Sequence, residues 1–244
     1  MRIMHVIVSS LASTSSVVMA ESINVQQVFG GSLPNVRHVW GRENVSNAVE
    51  GVMIKYPKGS IDPSNSPPYP RGGGGFEWHF SKGAPSGALT YQVKFKSGFQ
   101  FNKGGKLPGL FGGSDPRGCI QSGEDGFSAR LMWRSGGAGE LYLYAPHRGI
   151  VCGESIGRGS WYFVPDNWYT IIEEVKLNDV GASNGCIKIY INNSLIIDAQ
   201  NLILRDASST QVDGLLFSTF FGGNDSSWAS PKDQWAVFKN FSFQ

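Results

Sequence analysis

Charge is scarce in this chain of 244 residues: Asp, Glu, Lys and Arg make up 16% of it and balance to a net charge of +2. Such a mild balance does not point to nucleic acid, although it leaves room for an acidic polymer held in a local basic groove. Cysteine is rarer still, with 3 residues, none at zinc-binding spacing. The sequence has no phosphate loop, no dinucleotide fingerprint and no His, Asp or Glu cluster with metal-ligand spacing. We therefore expect no cofactor and no metal. No stretch is long and apolar enough to span a membrane. No clear helix and no internal repeat stands out either.

What the chain does have is Gly 32, Pro 12 and 12% aromatics, a composition that suits many short strands joined by tight turns. The clearest pair is 127–145, FSARLMWRSGGAGELYLYA. Phe127, Ala129, Leu131 and Trp133 alternate with Ser128, Arg130 and Met132, then Leu141 and Leu143 alternate with Tyr142 and Tyr144. This period-2 pattern, broken by glycines, predicts an antiparallel hairpin with one buried face. A three-residue turn at Ser135-Gly136-Gly137 would set Arg130 opposite Tyr142 and Ser128 opposite Tyr144. All four would then share the face away from the apolar set. That face is either an ordinary polar surface or a group able to bind an anion and move protons.

Further strands are expected at 49–56, 76–80, 89–96, 161–164, 168–177, 186–191, 195–197, 212–221 and 235–243. In 89–96, Tyr91, Val93 and Phe95 form the core side. Lys94 and Lys96 lie opposite, on a solvated face or as lining of an anionic groove, which makes Lys94 a candidate substrate-binding residue. Segment 101–118 reads as tightly turned, with Lys106 held between Gly105 and Leu107-Pro108. His79 is a surface strand residue before it is a base. The Pro, Gly and Ser-rich loop 56–75 is long enough to be functional, and Trp228 in loop 222–233 is either core or a groove-flanking ring. Together these elements predict an all-β chain, an antiparallel β-sandwich of jelly-roll type with a concave groove, over 49–244.

Ahead of that domain, 1–20 reads as a weak secretory signal and 21–48 as an irregular leader. If the hairpin ladder continued outward, Cys119 would lie beside Cys152, so a Cys119–Cys152 disulfide is plausible and Cys186 would stay free. A disulfide fits an oxidising, extracellular setting. We expect a monomer, with no membrane and no nucleic-acid partner.

KLPGLFGG at 106–113, Ser128 with Arg130, Tyr142 with Tyr144, and the loop GGNDSSWASPKDQWAVF at 222–238 together resemble polysaccharide lyase family 14 over roughly 49–243. The similarity to the family 20 glucuronan lyases is weaker. The resemblance implies a jelly-roll enzyme that cleaves a 4-linked acidic polysaccharide, alginate or polyglucuronate, by β-elimination. It also implies that Lys106, Ser128, Arg130, Tyr142 and Tyr144 are the active-site positions. Arg130 would neutralise the C6 carboxylate. Lys106 could share that role or lower the pKa of a neighbouring Tyr. Tyr142, with Tyr144 next, would transfer protons once adjacent cations lowered its pKa. Ser128 would orient the carboxylate or a phenol, and Lys94 would add binding. Two rival readings are a non-catalytic carbohydrate-binding sandwich and a glycoside hydrolase. The second needs two carboxyl groups facing one bond, whereas Glu173 and Glu174 are adjacent in a strand and point to opposite faces.

Overall fold

The computed structural model describes residues 20–31, 33–119, 125–147 and 152–244. Apart from Ala20, the expected signal segment lies outside them. In chain order the elements are β1 (Glu21–Ile23), α1 (Val25–Gly30), β2 (Val36–Trp40), β3 (Val45–Ala48), β4 (Gly51–Tyr56), β5 (Gly74–Ala84) and β6 (Ser86–Phe95). There follow β7 (Gly104–Gly113), β8 (Gly126–Arg134), β9 (Gly139–Tyr144), β10 (Glu154–Ile156) and β11 (Trp168–Lys176). The last four are β12 (Gly185–Ile191), β13 (Ser194–Leu202), β14 (Val212–Phe221) and β15 (Gln234–Phe243). They build two antiparallel sheets. The back sheet runs β13-β12-β11-β6-β15-β4-β3, with β1 added to β15, and the site sheet runs β10-β9-β8-β7-β14-β5-β2.

The sheets stack because each strand alternates. Val93, Phe95, Ile171 and Phe238 from the back sheet meet Leu131, Trp133, Leu141 and Phe217 from the site sheet, all fully buried in one core. Aromatic rings fill the gap edge to face. Phe95 packs against Trp133 at 5.4 Å and Tyr56 against Phe221 at 5.6 Å. Each such buried ring contributes about 1.5–3 kcal/mol through its removal from water.

Four expectations change here. Residues 21–48 are not an irregular leader: β1 pairs with β15, β2 with β5 and β3 with β4. These are short edge pairings with half-exposed residues, too brief for alternation to show. A helix is also present. Asn24 caps α1 by accepting from Gln26 N–H at 3.0 Å, while Val25, Val28 and Phe29 bury one face at helical spacing. Residues 161–164 form no strand, only a single bridge from Tyr162 to Ala138.

Strand β7 departs furthest from the reading of 101–118 as turns. It pairs with β14 and β8, but the register slips between Lys106 and Gly109, where Pro108 has no N–H to give a ladder. The back sheet holds this irregular stretch in place. Tyr91 O–H donates to the Pro108 carbonyl at 3.1 Å, and the buried Glu173 carboxyl accepts from Leu110 N–H at 3.2 Å. Gly109 is required at the close approach to β8, since a Cβ there would sit 2.1 Å from the Ala129 carbonyl oxygen.

Burial pushes the Glu173 pKa well above the ordinary carboxylate range, only partly offset by the Leu110 N–H. The folded chain therefore keeps a proton that the unfolded chain releases, and stability from this group is lost as pH rises above 4.5 toward the folded pKa. We expect urea denaturation to show stability falling with pH across that window, and Glu173→Gln to flatten the slope. Equal slopes in the two proteins would place the proton elsewhere.

Candidate active site

The β8–β9 hairpin forms the floor. Its register sets Ser128 opposite Tyr144, Arg130 opposite Tyr142 and Met132 opposite Glu140, and β7 places Lys106 opposite Met132. The face away from the core is not a solvated surface: Arg130, Tyr142 and Tyr144 are all buried. Loops cover them. Asp62–Asn65 from the Pro-rich loop, Arg117–Cys119 after β7, and Gly222–Asn224 with Trp228 after β14 wall a cleft of about 870 Å³. Gly223, with φ at +81°, lets the backbone pass beneath Trp228, where a Cβ would meet the indole. Trp228 thus flanks the groove.

At the centre, Lys106 Nζ lies 3.3 Å from the ring centroid of Tyr142 and donates to Met132 Sδ at 3.0 Å. Burial pushes the Lys106 pKa well below its ordinary value, and the positive charges of Arg130 and Arg134 push it further, against the opposing pull of Glu140 and Asp62. The attraction of an ammonium to a ring face is about 0.5–2 kcal/mol and works the other way. Two neighbouring guanidiniums and desolvation outweigh it. Tyr142 shifts in the opposite sense to the one expected from its cationic neighbours. Burial, then the charge of Tyr144 and a hydrogen bond with it, raise its pKa to about 12 despite Arg134 and Arg130.

Arg130 is a buried guanidinium whose Nε has no hydrogen-bond partner among the described residues. Leaving a buried charged donor unsatisfied is costly, so such a group marks a place built to receive an anion. Tyr144 O–H accepts from Cys119 N–H at 3.1 Å, and Cys119 is disulfide-bonded to Cys152. The ladder between β8 and β9 ends at Ser128 and Tyr144, so loops, not strands, bring these cysteines together. Cys186 is free.

The sequence matches the family model for polysaccharide lyase 14 over residues 44–241. Among solved structures, the marine alginate lyase from Aplysia kurodai is 34% identical, with a TM-score of 0.79 over 93% of this chain and 98% of that one. The chain belongs to the polysaccharide lyase 14 family. An alginate lyase from Chlorella virus shares the fold at 23% identity, with a TM-score of 0.77 over 93% of this chain and 98% of that one. An endo-β-1,4-glucuronan lyase from Trichoderma reesei shares it more distantly, at 9% identity and a TM-score of 0.55 over 93% and 94% of the two chains. No curated protein sequence matches significantly.

In this polysaccharide lyase the fold brings Lys106, Arg130, Tyr142 and Tyr144 together in the cleft. It does not bring Lys94, expected to bind substrate. Lys94 lies on the outer face of the back sheet, bonded to Glu50 at 2.7 Å and 5.0 Å from the Trp168 ring. Alternation placed it correctly away from the core but could not say which sheet its strand joins. Ser128 also differs from expectation. It is fully buried, and its hydroxyl donates to the Pro116 carbonyl at 2.6 Å, which ties down the loop after β7.

Several charged groups escaped the sequence reading. Glu140 has no exposed surface and accepts from Arg134, Arg158 and Ser155. Glu77 accepts from Arg117 at 2.5 Å, and Arg117 also reaches Asp115 at 2.8 Å. Glu140 and Arg134 share strand parity with Tyr142 and Arg130, a signal that was present. Glu77, Asp115 and Arg117 meet only through tertiary structure. These carboxylates do not make a hydrolase pair. Burial raises Glu77 and Glu140, but their arginine partners outweigh it and hold both below the ordinary range. Asp115 is pushed by burial to about 7 but does not line the cleft. Among the described residues, no three His, Cys, Asp or Glu side chains are grouped to hold a metal, and no helix is long and apolar enough to cross a membrane.

Because the Ser128 hydroxyl is used by Pro116, Ser128→Ala should lower stability by about 1–3 kcal/mol through an unsatisfied buried carbonyl. The pH dependence of activity should be unchanged. Denaturant melts and a pH–rate profile check this, and an altered profile would return Ser128 to the chemistry.

Proposed function

We propose that this enzyme is a lyase that cleaves alginate, a 4-linked polyuronate, by β-elimination. The observation that carries the reading is the buried, partnerless Arg130 Nε beside a lysine amine and two phenols on the floor of an open cleft. Arg130 takes the C6 carboxylate of the sugar whose C5–H bond breaks. Its charge and its hydrogen bonds offset the second negative charge that builds as the proton leaves. Alginate, rather than another uronate, is favoured by the 34%-identical alginate lyase.

The two proton carriers follow from their environments. A base must be unprotonated at the working pH, and Lys106 is an amine in the cleft whose pKa is pushed down. An acid must hold its proton until the leaving group needs it, and Tyr142, raised to about 12, does so. Lys106 therefore takes the C5 proton, the electrons form the C4–C5 double bond, and the C4–O4 bond breaks. Tyr142 gives its proton to O4. Tyr144, fixed by Cys119 N–H, holds the Tyr142 hydroxyl in place. All these groups come from one chain, so a monomer suffices. The disulfide and the signal-like N-terminus favour action outside the cell.

The test follows near-ultraviolet absorbance of the unsaturated product on alginate and on polyglucuronate. Wild type should give a rise on alginate. Lys106→Met and Tyr142→Phe should each reduce kcat by about 10²–10⁴-fold, the usual weight of one general acid or base. Activity should climb with pH through the lowered Lys106 pKa, because the amine must lose its proton to act. A climb only near pH 12 would transfer the base role to Tyr142. No absorbance rise with polymer binding intact would favour a non-catalytic binding protein.

A further inference from the structure

Arg134 stands at the end of β8 on the same face as Arg130, four residues along the strand and so roughly 13 Å away. Lys106 and Met132 lie between them. Glu140 clamps the Arg134 side chain: Nε donates to its carboxylate at 2.7 Å and Nη2 at 2.5 Å. The Glu140 carboxylate is fully buried and is completed on its other oxygen by Ser155 at 2.5 Å and Arg158 at 2.6 Å. Arg134 itself stays 14% exposed and lines the cleft, with its guanidinium carbon 5.7 Å from the Tyr142 ring. The contacts with Glu140 use Nε and Nη2, one edge of the guanidinium.

A guanidinium locked along one edge in the wall of a substrate cleft is preorganised for an anion. It cannot serve the carboxylate bound at Arg130, because Lys106 separates the two. Resting on the polyuronate reading above, we propose that Arg134, held by Glu140, binds the carboxylate of a neighbouring uronate in the same chain. Arg134 is then a specificity residue that measures chain length and charge, and Glu140 is its positioning residue. Glu140 also faces Lys106 electrostatically, so its loss would shift the Lys106 titration as well as loosen Arg134.

The experiment compares mannuronate oligomers of two to five sugars, by kcat/KM and by calorimetric affinity, in wild type, Arg134→Met, Arg134→Lys and Glu140→Gln. Wild type should improve as the oligomer grows long enough to reach Arg134. Arg134→Met should remove about tenfold to hundredfold of that gain, the weight of one charge-assisted hydrogen bond. The loss of the length-dependent gain should fall on KM and affinity, and the acid limb of the pH profile should move to higher pH, because Lys106 loses one of the cations that lower its pKa. Arg134→Lys should recover part of it, and Glu140→Gln should lose part of it and also shift the acid limb of the pH profile. Ratios between oligomers do not depend on how much variant folds. Arg134→Met with the wild-type length dependence overturns the proposal. Oligomers that bind with Arg134-dependent affinity but yield no unsaturated product would support it while refuting the lyase reading. No binding by wild type would refute both.

Discussion

Burying like charges next to one another is the constraint around which this site is built. Arg130 and Arg134 share one sheet face with Lys106 beneath covering loops, where water screens little of the repulsion that a proton on Lys106 would meet. The protein neutralises the ends of the row and leaves the centre uncompensated. Glu140 takes up Arg134 at one end, and at the other Glu77 and Asp115 take up Arg117. Among the described residues, Arg130 Nε has no partner and Lys106 donates to Met132 Sδ, not to a carboxylate. The result is a local positive potential confined to the middle of the cleft, in a molecule whose net charge is only +2. That is how a nearly neutral chain concentrates attraction for a polyanion at one point.

The backbone makes the arrangement possible through an irregularity. A regular β7 would continue its ladder past Lys106, but Pro108 cannot donate, and Gly109 must lie against β8 without a side chain. The resulting slip is fixed from the opposite sheet by Tyr91 and Glu173. Two core residues of the back sheet thereby set the position of a lysine on the far side of the sandwich. A site residue and its supports sit in different layers, which explains why the core polar groups Tyr91 and Glu173 are retained inside an otherwise apolar interior.

Much of this was legible in the chain. The hairpin register followed from period-2 alternation and a three-residue turn, and it grouped Arg130 with Tyr142 and Ser128 with Tyr144 as the structure does. What alternation cannot supply is which strands become neighbours. Lys94 was a candidate for the groove because its face is basic, yet β6 belongs to the back sheet. The carboxylates that clamp the arginines were missed for a related reason. Glu77 and Arg117 meet across β5 and a loop, with no local pattern between them. The sign of the Tyr142 shift also needed the fold, because burial and Tyr144 outweigh the cations that sequence alone could see. Short edge strands at 21–48 escaped because three to five half-exposed residues carry too little periodicity.

In the proposed mechanism the Tyr142 ring joins the two proton transfers. Its face meets the Lys106 amine at 3.3 Å, and its hydroxyl is held by Tyr144. In the resting site burial and the flanking guanidiniums push the pKa of the amine down. When it accepts the C5 proton, the new ammonium already lies on a π face worth about 0.5–2 kcal/mol to the charged form only. That stabilisation grows with charge transfer, so it lowers the transition state more than the ground state. As the same tyrosine gives up its proton, its ring becomes more electron-rich and a better partner for the ammonium above it. On that proposal, environments that push the two pKa values apart divide the roles of base and acid, and placing one group over the other's ring lets each step assist the next.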